Sequence, residues 1–396
     1  MTTGGMFPHL PNDSSGDLPP LSASGHADRV RRRFADEGID ALLVTDLSNV
    51  RWLTGFSGSA AMLLVTGDRS VLTSDGRYRT QAAEQVRAAG IGGDVEIVIG
   101  GLAAQRDALV AALGASGTVG LEADAVSWSD QRLWSDALEA VSLVPTRGIV
   151  EAERSVKDEG ELIRMGRAAA IADEALARVL DLLRAAGSTG SVPAGAGGGQ
   201  LTERRFAAAL DNAMRELGSE EPAFETIVAS GENSAKPHAR PGDRVIVAGD
   251  PVVVDFGATF DGYRSDMTRT FFVGGEPSGQ MARIFGVVGE AQRAGVAAVG
   301  PGVCAGDVDR TCRDIITAAG WGDQFEHGTG HGVGLDIHEA PSVGPGSTAI
   351  LTVGTVATVE PGVYLAGVGG VRIEDTLVVT ADGSRSLTNF TKDVAV

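Results

Sequence analysis

Three histidines lie close together in a glycine-rich segment near the C-terminus of the chain. His327, His331 and His338 share this segment with glycines at 328, 330, 332 and 334, which disfavour a helix. A hydrophobic core has little use for three imidazoles on such a backbone, whereas a site that holds a metal ion and a polar substrate close to the main chain needs both. The segment therefore indicates a metal-dependent hydrolase.

A second group of candidate ligands lies in a predicted β-hairpin. Two β-rich runs flank Asp261-Gly262, which is a strong hairpin signal. If this dipeptide is the turn, the pairing places Asp255 opposite Thr268 and puts Asp266 on the same face as Asp255, so both carboxylates can reach one ion. We interpret Asp261 as a solvated turn residue. Asp255 follows three valines in a buried strand and needs a partner.

Two glutamates occupy similar apolar surroundings further along the chain. Glu360 ends an apolar run, and Glu374 alternates with apolar residues in a predicted strand. Glu374 could instead pair with Arg372, two residues away on the same strand face, and this alternative stays open. Four buried carboxylates cannot all remain ionised without cations. Two divalent ions would balance the four negative charges of Asp255, Asp266, Glu360 and Glu374.

The donor set favours particular metals. Four carboxylates and His331 form an oxygen-rich site, which suits Mn²⁺, Co²⁺ or Fe²⁺ better than the sulfur- and nitrogen-rich sites of structural zinc, and zinc in vitro stays an option. Two such ions, about 3.5 to 4 Å apart, generate a bridging hydroxide and polarise a carbonyl group. This is the chemistry of aminopeptidases.

Length and composition limit the class of protein. A chain of 396 residues exceeds the size at which one core keeps growing and predicts two domains. Its net charge of −19, from 52 acidic and 33 basic residues, argues against nucleic acid or an anionic membrane as partner.

The cysteines indicate the compartment. Cys304 and Cys312 lie too far apart on a predicted helix for a disulfide and indicate a reducing compartment. Because no apolar run is long enough to span a membrane, we expect a cytoplasmic protein.

The elements that must position these residues fall into an N-terminal and a C-terminal part. Residues 1–25, rich in Gly, Pro, Ser and Asp, are predicted to be a disordered tail. From residue 26 to residue 150, strands and helices alternate as in an α/β unit without a catalytic cluster. Ser155 is predicted to cap a long amphipathic helix, and the glycine-rich residues 187–199 are predicted to form a flexible loop. The candidate metal ligands all lie in residues 151–396.

The five candidate ligands, in this order and in these local contexts, resemble those of the M24 metallopeptidases. This family includes Xaa-Pro aminopeptidase, Xaa-Pro dipeptidase (prolidase) and methionine aminopeptidase. The resemblance runs from about residue 27 to the C-terminus. It implies a creatinase-like N-terminal α/β domain at residues 26–150 and a pita-bread metallopeptidase domain at residues 151–396. Residues 53–59 and 75–78 are similar to N-terminal segments of the Xaa-Pro aminopeptidases.

The resemblance also implies a role for each ligand. Asp255 would bind one metal ion, His331 and Glu360 the other, and Asp266 and Glu374 would bridge the two. A hydroxide between the ions would attack the scissile carbonyl, and Glu360 would pass its proton to the proline nitrogen.

Four further residues are implied to contact the substrate. They are His238, His327, His338 and Arg372. His238 and His338 also take part in catalysis, His338 by stabilising the oxyanion. His327 can equally be a structural histidine, and this alternative stays open.

The length of the substrate depends on weaker signals. The N-terminal segments favour Xaa-Pro aminopeptidase activity, with Xaa-Pro dipeptidase as the alternative. A dipeptidase must bind the free carboxylate, and Arg264, Arg269 and Arg372 are the candidates for that role. A non-catalytic binding protein is disfavoured because such relatives have lost ligands, and creatinase is disfavoured because it works without metal and lacks the five ligands that are intact in this chain. The family also suggests a homodimer.

Overall fold

The computed structural model describes residues 18–114, 117–190, 198–393 and 395–396. By their contacts these residues form two units, which divide between Arg154 and Ser155. Residues 1–17 of the predicted tail and residues 191–197 of the predicted glycine-rich loop lie outside the described part of the chain. Among the described residues, no helix is both long enough and apolar enough to cross a membrane.

The N-terminal unit is a mixed sheet with helices, in agreement with the predicted α/β class. Its strands are β1 (Ala41–Val44), β2 (Ala61–Thr66), β3 (Ser70–Ser74), β4 (Val95–Ile99), β5 (Thr118–Glu122) and β6 (Ser142–Thr146). Its helices are α1 (His26–Arg31), α2 (Phe34–Glu37), α3 (Leu47–Thr54), α4 (Arg79–Ala88), α5 (Leu102–Leu113), α6 (Trp128–Ala137) and α7 (Ile149–Arg154). The strand order is β4-β3-β2-β1-β5-β6, in which β1, β5 and β6 run parallel. Leu43, Leu64 and Trp134 belong to its core.

The C-terminal unit combines long helices with short strands. Its helices are α8 (Glu159–Thr189), α9 (Glu203–Glu216), α10 (Gly279–Ala298) and α11 (Ala305–Ala318). Its first strands are β7 (Ile227–Ser230), β8 (Pro251–Phe256), β9 (Thr259–Phe260), β10 (Tyr263–Arg264) and β11 (Met267–Phe272). Its later strands are β12 (Gly330–Gly332), β13 (Glu339–Val343), β14 (Val356–Val359), β15 (Gly362–Leu365), β16 (Gly369–Arg372), β17 (Asp375–Thr380) and β18 (Gly383–Ser386).

Two large groups of apolar side chains and one small group form the core of this unit. In the first, residues of α8 and α9 such as Leu176 and Phe206 pack with Phe256 of β8. In the second, residues of α10 and α11 such as Ile284 pack with Val359 of β14. Strand β8, which carries Asp255, and strand β14, which precedes Glu360, therefore each pack against helices.

The start of α8 corrects one prediction. Its N-cap is Asp158 and not Ser155: the Asp158 side chain accepts a hydrogen bond from the Glu161 N–H, and the Glu161 side chain accepts one from the Asp158 N–H. This reciprocal capping box satisfies two backbone donors at once, which a lone serine cannot do. Ser155 precedes an extended stretch in which the Lys157 N–H donates to Gly354 O. The helix also continues to Thr189, so the predicted loop at residues 187–199 begins too early.

The predicted hairpin is present with the predicted register. Strands β8 and β11 pair antiparallel, and Asp255 lies opposite Thr268. The turn has φ of 46° at Asp261 and 73° at Gly262, as a type I′ turn requires. Asp261 is the predicted turn residue and its side chain is 41% exposed, but it also has a protein partner, because its Oδ2 lies 2.6 Å from Nε of Arg164. That contact ties the tip of the hairpin to α8.

Candidate metal centre and substrate pocket

The carboxylates enter the site from two pairs of antiparallel strands. Asp255 lies in β8, and Asp266 precedes β11, the strand with which β8 pairs. Glu360 follows β14 and Glu374 precedes β17, and these two strands also pair, with Val359 opposite Asp375. The Glu374 N–H donates to Thr268 O at 3.1 Å, which joins the second pair of strands to the first. The fold therefore brings together four acids from distant parts of the sequence.

His331 completes this group from the glycine-rich segment. Its N–H donates to Thr358 Oγ1 at 3.0 Å, and its Nδ1 lies 3.0 Å from Gly332 O. Nε2 therefore points at the acids, 3.6 Å from Asp266 Oδ2 and 3.4 Å from Glu360 Oε1. A Cβ on Gly330 would lie 2.1 Å from Thr358 O, so only glycine allows this close approach.

The geometry and electrostatics of this group fit bound cations. One ligand atom from each of Asp266, His331 and Glu374 lies within 4.8 Å of the others. Among the described residues, Asp255 Oδ1 and Glu374 Oε1 are buried without a hydrogen-bond partner. A buried carboxylate oxygen without a donor is costly unless a cation takes that place. Carboxylate oxygens and one imidazole are also the donors that divalent ions such as Mn²⁺ accept.

The pKa values of Asp266, Glu374 and Glu360 also fit bound cations. Burial raises the pKa of Asp266 well above its ordinary range, and the nearby carboxylates, Glu374 first, raise it further. Burial likewise raises the pKa of Glu374, with Glu360 and Asp255 adding to the effect. Burial raises the pKa of Glu360 to about 8, although Arg372 opposes that shift. Protons occupy these acids in the absence of cations, and cations would displace them.

Arg372 lies in the wall of the site, where its guanidinium bonds other protein groups. Its side chain is 3% exposed, and its Nη2 donates to Asp255 Oδ2 at 2.5 Å. Nε donates to Thr268 Oγ1 at 3.1 Å, and Nη1 donates to the Tyr364 hydroxyl at 2.8 Å. The alternative in which Arg372 pairs with Glu374 is wrong, because the partner is Asp255, 117 residues away in the sequence. A role of Arg372 in substrate binding stays a prediction.

The acids and His331 line a pocket of about 630 Å³ that also contains the three other predicted histidines. Its ionisable residues are Glu225, His238, Arg240, Asp255, Asp266, His327, His331, His338, Glu360, Arg372 and Glu374. His238 and His338 are exposed towards this pocket, and the His338 ring lies edge-on to that of His331, with centroids 4.4 Å apart. Burial lowers the pKa of His338, which keeps its ring neutral near pH 7. A neutral imidazole can donate a hydrogen bond to a carbonyl oxygen.

His327 lies deeper and has two partners of its own. Its Nδ1 lies 2.7 Å from Gly328 O and its Nε2 2.9 Å from the Tyr364 hydroxyl. Burial lowers its pKa to about 4. Both ring nitrogens are therefore occupied by protein groups, which favours the structural alternative, although His327 lines the pocket.

Two residues that the sequence patterns did not single out, Tyr364 and Lys157, support the histidine segment. Tyr364 contacts both His327 and Arg372 through one hydroxyl group. Lys157 Nζ lies 3.1 Å from Oε2 of Glu339, the residue after His338, and both side chains are buried. The chain has only three tyrosines, and the one close after Glu360 was the available signal for Tyr364. Lys157 gave no such signal, because it lies 182 residues from its partner Glu339 in the sequence.

Comparisons with known proteins agree with this site. Residues 163–381 match "Metallopeptidase family M24", and residues 27–156 match "Creatinase/Prolidase N-terminal domain". An uncharacterized peptidase of Bacillus subtilis is 37% identical over 369 residues, 93% of this chain and 99% of its own. The structure of a Xaa-Pro dipeptidase from Bacillus anthracis superimposes with a TM-score of 0.86 at 36% identity, covering 95% of this chain and 100% of the other. The structure of an X-Pro aminopeptidase from Thermotoga maritima superimposes with a TM-score of 0.80 at 32% identity, covering 93% of this chain and 99% of the other.

Proposed function

The chain belongs to metallopeptidase family M24, and on this premise we propose that it hydrolyses the peptide bond between an N-terminal residue and proline. The observation that carries the proposal is the convergence of three buried acids, the partly buried Glu360 and His331 at a pocket lined by further histidines. The names of the relatives support proline as the second residue, since both a Xaa-Pro dipeptidase and an X-Pro aminopeptidase share the fold over nearly the whole chain. We propose the Xaa-Pro aminopeptidase type, with the dipeptidase as the alternative.

We propose that two divalent cations, Mn²⁺ in preference to Co²⁺, Fe²⁺ or Zn²⁺, occupy the site. Asp255, Asp266, His331, Glu360 and Glu374 would hold them. When bound, the cations supply a water of lowered pKa and polarise the scissile carbonyl. The oxygen-rich donor set supports manganese. Elemental analysis of protein purified without added metal would identify the ions.

The residues of the chain would then act on the substrate as follows. Glu360 accepts a proton from the attacking water and delivers it to the proline nitrogen as the C–N bond breaks. The neutral ring of His338 donates a hydrogen bond to the carbonyl oxygen as negative charge develops there. We also propose that His238, which is exposed in the same pocket, contacts the substrate.

A paired peptide assay tests the proposed activity. The enzyme with Mn²⁺ is given Ala-Pro, Ala-Pro-Ala and, as a control, Ala-Ala-Ala, and free alanine is measured by chromatography. We expect Ala-Pro-Ala to be cleaved with a kcat/KM at least about tenfold above that for Ala-Ala-Ala, a difference of about 1.4 kcal/mol in transition-state binding. Cleavage of Ala-Pro alone would reject the aminopeptidase type and leave the dipeptidase. Cleavage of neither proline peptide would reject the proposed specificity.

We further propose a homodimer, because closed twofold assemblies are the commonest oligomers. Light scattering should give a mass of about twice 40.6 kDa at working concentration. A single species at the monomer mass would contradict the proposal.

A cytoplasmic location also stays a proposal, supported by two cysteines that are both free thiols.

A further inference from the structure

The three arginines that the sequence suggested for a substrate carboxylate are all engaged by the protein. Arg269 is 2% exposed, and its guanidinium bonds Asp375 at 2.9 Å and the main-chain oxygens of Glu374 and Phe390. Arg372 is occupied by its contacts with Asp255, Thr268 and Tyr364.

Arg264 is engaged as well. Its Nε donates to Leu335 O at 3.1 Å, and its Nη1 donates to Ala223 O. It is also absent from the described residues that line the pocket. Releasing any of these three arginines would leave buried acceptors without donors, which costs about 1 to 3 kcal/mol for each acceptor.

Arg240 differs from these arginines in its exposure and in the weakness of its pairing. It lines the pocket, its side chain is 83% exposed, and its Nε lies 3.1 Å from Oε2 of Glu225, which lines the same pocket and is 65% exposed. Apart from Arg372, Arg240 is the one lysine or arginine among the described residues that line the pocket. Glu225 is the one acid there that is not a predicted metal ligand. An ion pair this exposed contributes only about 0.2 to 1 kcal/mol, so another carboxylate can replace Glu225 at little cost.

The backbone that carries Arg240 is fixed relative to the acids. Pro237 O accepts a hydrogen bond from Arg372 Nη1 at 3.2 Å, and Arg372 in turn bonds Asp255. The Ala239 N–H donates to Lys236 O at 3.1 Å, which closes the turn before Arg240. The flexible part is therefore the side chain, whose planar guanidinium can bind a carboxylate through two parallel hydrogen bonds.

Building on the proposed function, we propose that Arg240 receives the free carboxylate of a Xaa-Pro dipeptide in place of Glu225. In a dipeptide this carboxylate belongs to the proline and lies one residue from the scissile bond, within about 3.6 Å of chain per residue. In a longer peptide the same position is a neutral amide, and Arg240 keeps its pair with Glu225. The exposed pair thus allows a pocket open to longer peptides to bind dipeptides too.

The test compares Ala-Pro with its carboxamide, Ala-Pro-NH₂, which keeps the scissile bond but lacks the charge. Arg240→Gln should raise the KM for Ala-Pro about tenfold with kcat little changed, because a charge-assisted hydrogen bond is lost, and should leave the KM for Ala-Pro-NH₂ within about twofold. Glu225→Gln should lower the KM for Ala-Pro by freeing Arg240. The matched control is Arg178→Gln, which removes a similarly exposed pair with Glu174 on α8 and should change neither KM.

Each other outcome has a distinct meaning. An equal change of KM on Ala-Pro and Ala-Pro-NH₂ in Arg240→Gln, or no change on either, overturns the assignment of Arg240 and leaves the peptidase activity intact. Hydrolysis of Ala-Pro-Ala but not of Ala-Pro by the unmodified enzyme also overturns it. If the unmodified enzyme cleaves none of these peptides, the proposed function itself fails, and the role of Arg240 fails with it.

Discussion

Replacement of Asp266 by asparagine is expected to abolish peptide hydrolysis and metal binding together. Asp266 is buried, and one of its oxygens lies with atoms of His331 and Glu374 in a group no wider than 4.8 Å. Asparagine keeps the shape of the side chain but removes the negative charge that a shared cation requires. We expect kcat/KM to fall by about 10³-fold or more, since metal polarisation supplies several kcal/mol of transition-state stabilisation. Glu374→Gln should behave in the same way.

Elemental analysis and kinetics on the same preparation check this prediction. The metal content of Asp266→Asn should fall below one ion per chain after dialysis, in parallel with the lost turnover. Asp261→Asn is the matched control, because Asp261 lies in the same hairpin, contacts Arg164 instead of the site, and has a left-handed backbone that asparagine tolerates. It should keep both metal and activity. Full turnover in Asp266→Asn would show that the metal centre is assigned to the wrong residues.

The hairpin register could be predicted because it depends only on local rules. The Asp261-Gly262 turn fixes which residues face each other, and the alternation of side chains along a strand then puts Asp255 and Asp266 on one face. The structure has the predicted pairing of Asp255 with Thr268. This register depends on only about 20 consecutive residues, so it can be predicted from one sequence.

The partners of the acids could not be predicted in this way. Pairing with Glu374 was an open alternative for Arg372 because the two are neighbours in one predicted strand, but β16 ends at Arg372 and β17 begins only at Asp375. The guanidinium therefore faces Asp255 on another strand, a contact between residues 117 positions apart. Tertiary packing determines which carboxylate pairs with Arg372, and it overrides the pairing that the sequence spacing suggests. The same reason explains why Tyr364 and Lys157 were missed.

The N-cap of the long helix α8 could be predicted only in part from the sequence. Both Ser155 and Asp158 are good N-cap residues, and the apolar pattern alone does not choose between them. The choice depends on Glu161, which completes the capping box only with Asp158. It depends also on the Lys157 N–H, which donates to Gly354 O from a distant loop and holds the chain extended until residue 158. The first signal was present in the sequence, and the second was not.

Removal of the divalent ions is expected to lower the thermal stability of the protein, and to lower it more at pH 8 than at pH 6. The folded pKa values of Asp266, Glu374 and Glu360 are raised above those of the unfolded chain by burial, for Glu360 to about 8. A carboxyl with a raised folded pKa contributes stability that is fully present below its unfolded pKa and is lost as the pH rises towards the folded value. For Glu360 without cations, the loss therefore falls between about pH 4.5 and pH 8.

Bound cations oppose this loss because they favour the ionised acids. Each ion at about 100 times its dissociation constant would add about 2.7 kcal/mol, which corresponds to a Tm increase of roughly 5 to 10 °C per ion in a unit of this size. Protons compete for the same carboxylates at pH 6, so the difference in Tm between protein with Mn²⁺ and protein with EDTA should be smaller there. Differential scanning calorimetry at both pH values measures it, with Asp266→Asn as the variant in which EDTA should have no effect. A difference that is equal at the two pH values, or larger at pH 6, would mean that the buried acids are not the groups that bind the ions.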